Sequence, residues 1–394
     1  MKSLHFLAGF TVLLASGCSS AKKATTTSPA ESLQPIVDSI RMAYAPDKRV
    51  ALFDITAKGQ ILTGETDNVV AKTALLQNLS AKNIRYIDSI QVLPDASVMG
   101  KNRAVVTISV ANLRAKPAHA AEMVTQATLG TPLNVLKKEK GWYLVQTPDK
   151  YIAWTEGGGI QTMDDSRFVQ WQQADKLIYT KPYGFVYTKP DADGATVSDV
   201  VYGDVLSFQA KENDFYYVKL PDGRGGYIPA KELQLYKEWQ NSRMPTQENL
   251  VSASKRLMGV PYLWGGTSFK GVDCSGFTRT VYFMNGLILP RDASQQALIG
   301  ELVDTKTGWQ NLQAGDLLFF GVPAQDGKPE RVIHVGMWLG GPNNEFIQSS
   351  SKVQISSLNP DAPNYDEVQY KRFLRAKRIT QKSVLFDLRF NSFY

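Results

Sequence analysis

The sequence has little sulfur and little imidazole: two cysteines and three histidines in 394 residues. Thiolate and imidazole zinc sites take three or four such ligands. Here the candidates are scattered, at His5, Cys18, His119, Cys274 and His334, so no cofactor or metal is expected. Long hydrophobic runs are also lacking. The clearest, Phe6 to Ala15, is too short to cross a bilayer comfortably as a permanent helix. Charge of one sign is scarce too: the formal net charge of +7 is modest and spread along the chain. That argues against nucleic acid and suits a polyanionic surface such as a cell wall or anionic lipid. A charged share of 21 % against 43 % apolar residues excludes a wholly disordered chain. The length points to two or three domains.

What is present begins with an address. Lys2, the apolar run and small residues before Cys18 read as a bacterial export signal. Leu14-Ala15-Ser16-Gly17-Cys18 resembles the lipobox of bacterial lipoproteins. The resemblance implies cleavage before Cys18, diacylglycerol on its sulfur and attachment to the cell envelope, facing the periplasm. A plain signal peptide with an incidental cysteine is the alternative. Residues 18–32 are small and polar, a tether unable to bury a core.

Residues 33–100 read as a small α+β unit. VALFDI and QILTGE form a hairpin around Lys58-Gly59, Asn68 caps a helix, and IRYIDSIQVLP returns as a strand. The next two segments, 101–165 and 166–240, repeat each other at an offset of 73 residues: Pro117 matches Pro190, Gly130 matches Gly203 and Tyr143 matches Tyr216. Short alternating strands between Gly, Pro and Asp turns indicate two small β-barrels. LGTPLNVLKKEKGWYLVQ and YGDVLSFQAKENDFYYVK resemble bacterial SH3 (SH3b) domains, which implies cell-wall binding; for the second copy a plain spacer is the alternative.

From 241 to 394 the texture changes. A helix near 246–259 leads into a Gly-rich loop, a second helix starts at Cys274, and strands follow at 316–320, 332–340, 345–350 and 353–358, an α+β arrangement. Asp273 is a natural N-cap, which puts the Cys274 thiol in the first turn, where the helix dipole and free N–H groups favour a thiolate. A thiolate nucleophile needs a base. His334, in VIHVG, is the one histidine in this segment. The bland alternatives are a buried structural thiol and a satisfied core histidine. One cysteine at a helix start and one histidine on a later strand are the pattern of a nucleophile with its base.

YLWGGTSFKGVDCSGF, LPRDASQQ, LQAGDLLFF and IHVGMWLG, in that order over about 245–380, resemble the NlpC/P60 family of cysteine peptidases. The resemblance implies a papain-like catalytic domain behind the two barrels. Cys274 would be the nucleophile, His334 the base, and Gln348 the third residue that orients it, where the family usually has His. A Gln348 pointing to solvent would leave the base without an orienter. Tyr262, Asp273 and Ser275 match positions that bind the free amino end of a stem peptide in relatives carrying SH3b domains, and Glu122 and Tyr151 are the candidates from the first barrel that would help hold that amine. Arg291 and Asp316 belong to the motifs without an assigned role. The expected substrate is a peptidoglycan stem peptide with a free N-terminal L-Ala, cut between γ-D-glutamate and diaminopimelate or lysine. A non-catalytic wall-binding lipoprotein, and an amidase or acyltransferase of the same superfamily, are the alternatives.

Overall fold

The computed structural model describes residues 33–391. The leader, Cys18 and the tether lie outside that range. No helix among the described residues is long and apolar enough to cross a membrane.

The first unit is built as its pattern dictates. Strands Phe53–Lys58 and Ile61–Thr66 pair as the expected hairpin, and Asn68 caps helix Val69–Ala81 by accepting the Ala71 N–H at 3.0 Å. Strand Ile87–Val92 then returns parallel to the second strand, with Ile61 opposite Ile87. Helix Gln34–Tyr44 adds Val37 and Ile40 to a core of Leu62, Leu75, Leu79 and Ile90. The sequence reading did not place that helix, which follows directly on the polar tether.

The repeat is exact in the backbone. All seven strands of the second copy begin 73 residues after their counterparts, from Arg103 and Lys176 to Ile160 and Leu233. Both sheets have the same strand order, read from opposite ends. The copies dock through equivalent turns. The Leu129 N–H reaches Asp204 Oδ1 at 3.1 Å, while the Val205 N–H reaches the Leu129 carbonyl at 2.9 Å. Asp204 also accepts the Val201 N–H at 2.8 Å and has no solvent exposure. Burial pushes its carboxyl well above the ordinary range, against those two N–H donors.

The third unit packs helices Gln247–Lys255 and Cys274–Phe283 against a six-stranded antiparallel sheet. The sheet runs Glu301–Val303, Phe373–Arg378, Leu317–Val322, Arg331–Gly340, Glu345–Ser349, Val353–Ser357. Phe277 and Val281 of the helix meet Phe319, Val335, Met337 and Ile347 of the sheet in one buried cluster. Strand Phe373–Arg378 was not legible beforehand, because FLRAKR alternates basic with apolar residues and reads as surface. The mixed α+β class, with sheet-rich SH3-like modules before a helix-and-sheet domain, matches expectation.

Replacing Asp204 with Ala leaves two N–H groups, Leu129 and Val201, without their acceptor. At about 1–3 kcal/mol for each buried donor, less what is regained by removing a buried carboxylate, the expected net loss is about 2 kcal/mol. A lower thermal unfolding midpoint of D204A by circular dichroism checks this; an unchanged one removes the turn-to-turn lock.

Candidate active site

The site starts from a capped helix. Asp273 lies just before helix Cys274–Phe283 and accepts the Gly276 N–H at 2.7 Å, so the cap fixes Cys274 as the first helical residue. Gly276 is required here: a Cβ would sit 1.9 Å from the Gly266 carbonyl oxygen, where the Gly-rich loop crosses the helix start. Gly265, at φ +80°, turns the loop beneath the backbone of Met123 in the first barrel.

Cys274 keeps 9 % exposure at the rim of the core cluster. It packs with Val335 of the sheet in that cluster. Val335 follows His334, so the thiol lies beside the strand segment that carries the imidazole. Burial pushes the thiol pKa up to about 12 and the Asp273 charge adds to that; the Val335 and Ser275 N–H groups and Arg291 pull the other way. Desolvation thus opposes the first-turn field that favours a thiolate. Ionisation at neutral pH has to come from a partner that takes the proton.

His334 is partly buried, with Nε2 at 2.6 Å from Gln348 Oε1. Burial lowers its pKa, while the Gln348 hydrogen bond and the Asp366 charge raise it. Gln348 has no exposure, so the solvent-pointing alternative does not hold. Tyr262 stands beside the same sulfur: burial raises its phenol, and the nearby Cys274 and Asp273 charges add to the rise.

Asp273 differs from the expectation of a carboxylate open to an ammonium. Arg291, 1 % exposed, binds it in fork geometry, Nη1 to Oδ1 at 3.1 Å and Nη2 to Oδ2 at 2.7 Å. The Gly265 N–H adds a contact at 2.9 Å, and Ser275 Oγ lies 3.3 Å from Oδ1 and accepts from Arg291 at 2.9 Å. The Asp273 charge is matched before any substrate arrives, and Ser275 belongs to the same network. Arg291, left without a role in the sequence, is its centre. The arginine also donates from Nε to Thr125 Oγ1 of the first barrel at 3.0 Å.

The first barrel does lie over this region. Gln126 Oε1 accepts the Thr267 N–H at 3.0 Å, and Lys270 pairs with Asp199 of the second barrel at 2.6 Å. Of the two barrel residues expected at the amine, Tyr151 directs its hydroxyl to Asp292 Oδ2 at 3.3 Å. Glu122 goes elsewhere, accepting the indole N–H of the exposed Trp264 at 2.9 Å. That bond ties the barrel to the Gly-rich loop. Arg49 of the first unit takes a place by Tyr151 instead, with Nη1 at 2.9 Å from both Asp292 Oδ2 and Ser294 Oγ. Asp292 and Arg49 were missed: LPRDASQQ carried Asp292 in plain view, but nothing in PDKRV announced a contact across 243 residues.

Residues 259–372 match the model of the NlpC/P60 family, and residues 109–161 that of the bacterial SH3 domain. The gamma-D-glutamyl-L-lysine dipeptidyl-peptidase of Bacillus cereus is 31 % identical over 256 residues, covering 63 % of this chain and 74 % of the relative. The chain belongs to the NlpC/P60 family. A solved structure of an NlpC/P60 family protein from Bacillus cereus superposes at a TM-score of 0.58 with 25 % identity, over 70 % of this chain and 99 % of that one. An Escherichia coli relative named murein DD-endopeptidase MepS/murein LD-carboxypeptidase is 38 % identical over 149 residues, 34 % of this chain and 70 % of its own. The NlpC/P60 segment thus holds Cys274, His334 and Gln348, and the SH3 segment holds Tyr151 and Glu122.

Arg291→Met strands a buried carboxylate at the helix start. A cost of about 3–5 kcal/mol is expected for breaking such a pair. Denaturant unfolding of R291M should show that loss together with lost hydrolysis. Wild-type stability would mean that Asp273 finds other compensation.

Proposed function

We propose that this NlpC/P60 protein is a cysteine peptidase that hydrolyses the γ-D-glutamyl–diamino acid bond of peptidoglycan stem peptides with a free N-terminal L-Ala. The observation that carries the reading is the Cys274 sulfur against the strand of His334, whose ring is held by Gln348. Gln348 Oε1 accepts the Nε2–H, which leaves the Nδ1 lone pair for the thiol proton. The sulfur attacks the γ-carbonyl carbon, and the proton passes to the imidazole. The developing oxyanion is met by the backbone N–H of Cys274, which as a first-turn group has no intrahelical acceptor. The C–N bond breaks as the imidazolium gives its proton to the leaving amine, and a thioester remains. Water, deprotonated by His334, then hydrolyses the thioester and frees the thiol.

The relatives' names, a gamma-D-glutamyl-L-lysine dipeptidyl-peptidase and a murein endopeptidase, support both the bond and the peptidoglycan substrate. We read the amine end at the Tyr151–Asp292 corner, because Asp292 is part-exposed and meets Arg49 through a single nitrogen, whereas Asp273 is buried under a two-pronged fork. Closure by the first barrel suits short peptides already released from the glycan. Lipid attachment at Cys18, at the periplasmic side of the envelope, completes the reading from the sequence motif. The competing reading, a wall-binding protein with an idle thiol, draws on the burial of Cys274.

Two measurements decide between them. L-Ala-γ-D-Glu-diaminopimelate and its N-acetylated form are offered to the protein and the products weighed by mass spectrometry. Cleavage of the free-amine peptide, lost in Cys274→Ala, is expected, and equal rates on both peptides would remove the amine requirement. Iodoacetamide labelling of Cys274 should be rapid at neutral pH in the wild type. In His334→Ala the thiol loses its base while burial still pushes its pKa up, so labelling should be slow at pH 7 and climb as pH rises. Slow labelling in both would favour the idle thiol.

A further inference from the structure

We propose that Asp366 is a positioning residue for this hydrolysis: with Ser356 it fixes the Gln348 carboxamide so that its oxygen, and not its NH2, faces His334. The inference rests on the reading of His334 as the base. A glutamine alone does not select a tautomer. Its oxygen and nitrogen ends have nearly the same shape, so one face accepts from Nε2–H and the flipped face donates to a bare Nε2. Papain-like sites with a third histidine or asparagine face the same ambiguity, and something behind the amide has to resolve it.

Here both N–H bonds of Gln348 are claimed from behind. Nε2 donates to Asp366 Oδ2 at 2.8 Å and to Ser356 Oγ at 2.8 Å. A carboxylate accepts and never donates, so a flipped Gln348 would set its oxygen against the Asp366 oxygen in a place without solvent exposure. The unflipped amide meets His334 at 2.6 Å, oxygen first. The proton is thereby held at Nε2, and Nδ1 keeps the lone pair a base needs.

Asp366 is itself held firmly. Its Oδ1 accepts the Gln369 N–H at 3.0 Å as cap of helix Glu367–Arg372, and its own N–H donates to the Ser357 carbonyl at 2.9 Å. The carboxylate also supplies, through one intervening amide, the negative charge that Gln348 lacks. Around the imidazole, Asp366 and Asp273 favour the charged form, Arg372 and burial disfavour it, and Cys274 lies beside the same strand. Asp366 sits in PNYDEV, outside the motifs that mark the family, so only the folded chain brings it to the site.

Asp366→Asn is the test, because Asn caps a helix as well as Asp and keeps the shape while removing the charge and the pure acceptor. In D366N the kcat for the free-amine tripeptide should fall at least about tenfold with KM little changed, as for other partners that orient a functional imidazole. With three histidines in the chain, the His334 ring signals can be assigned by loss in His334→Ala. In wild type the nitrogen spectrum should show the Nε2–H tautomer. In D366N the His334 pKa should drop, because a charge favouring imidazolium is gone, and the tautomers should mix. A purely structural role would lower the melting temperature and leave tautomer and pKa alone. Wild-type kcat, pKa and tautomer in D366N would overturn the proposal, as would an Nδ1–H tautomer in the wild type, a readout that needs no variant to fold. Full hydrolysis by His334→Ala would sink the underlying reading instead.

Discussion

One buried ion pair organises this molecule. The fork between Arg291 and Asp273 neutralises the carboxylate that caps the helix of Cys274, and a third donor of the same arginine reaches Thr125 in the first barrel. Position of the sulfur, entry angle of the Gly-rich loop and docking of the first barrel thus share one group. A buried ion pair contributes little net stability over an apolar replacement, yet loss of either partner is costly because the other charge stays behind. The fork specifies an arrangement more than it stabilises one. It also explains why Asp273 is a poor place to seek recognition: an ammonium arriving there would compete with a guanidinium already bound through two hydrogen bonds.

The same enclosure sets the chemistry. Packing the helix start against the sheet and under a barrel brings Cys274 to the strand of His334 and strips the thiol of water. Desolvation then outweighs the helix field and the two N–H donors. In the proposed mechanism a thiol so desolvated depends on the neighbouring base, so the orientation of His334 carries more weight than in an open cleft. The polar file His334, Gln348, Asp366 answers that demand with short contacts in a segment otherwise walled by Phe320, Phe346 and Ile347.

The first unit joins the site through Arg49. Asp47 holds the guanidinium at 2.8 Å, Gln295 bonds back to Asp47 at 2.8 Å, and the Arg49 carbonyl accepts the Ile152 N–H at 2.7 Å. Three units therefore meet at Asp292: the first unit through Arg49, the first barrel through Tyr151, and the NlpC/P60 segment itself.

Much of this was legible in the residues. Local rules sufficed for the Asn68 and Asp273 caps, the hairpin, and the two modules 73 residues apart, because capping, turns and strand alternation act over a few positions. Cys274 and His334 stood out by scarcity and setting, and Gln348 only through the family resemblance of its strand. The misses have one cause. Glu122 on Trp264, Arg291 on Asp273, Arg49 on Asp292 and Asp366 behind Gln348 each involve a charged group, two of the four span units, and no periodicity encodes which partner a given charge will find. The sequence by itself determined most elements, the repeat and the family, and singled out Cys274 and His334. Tertiary structure alone decided which charges are already matched, how dry the sulfur is and what stands behind the third residue, because desolvation and ion pairing depend on distance in space, not along the chain.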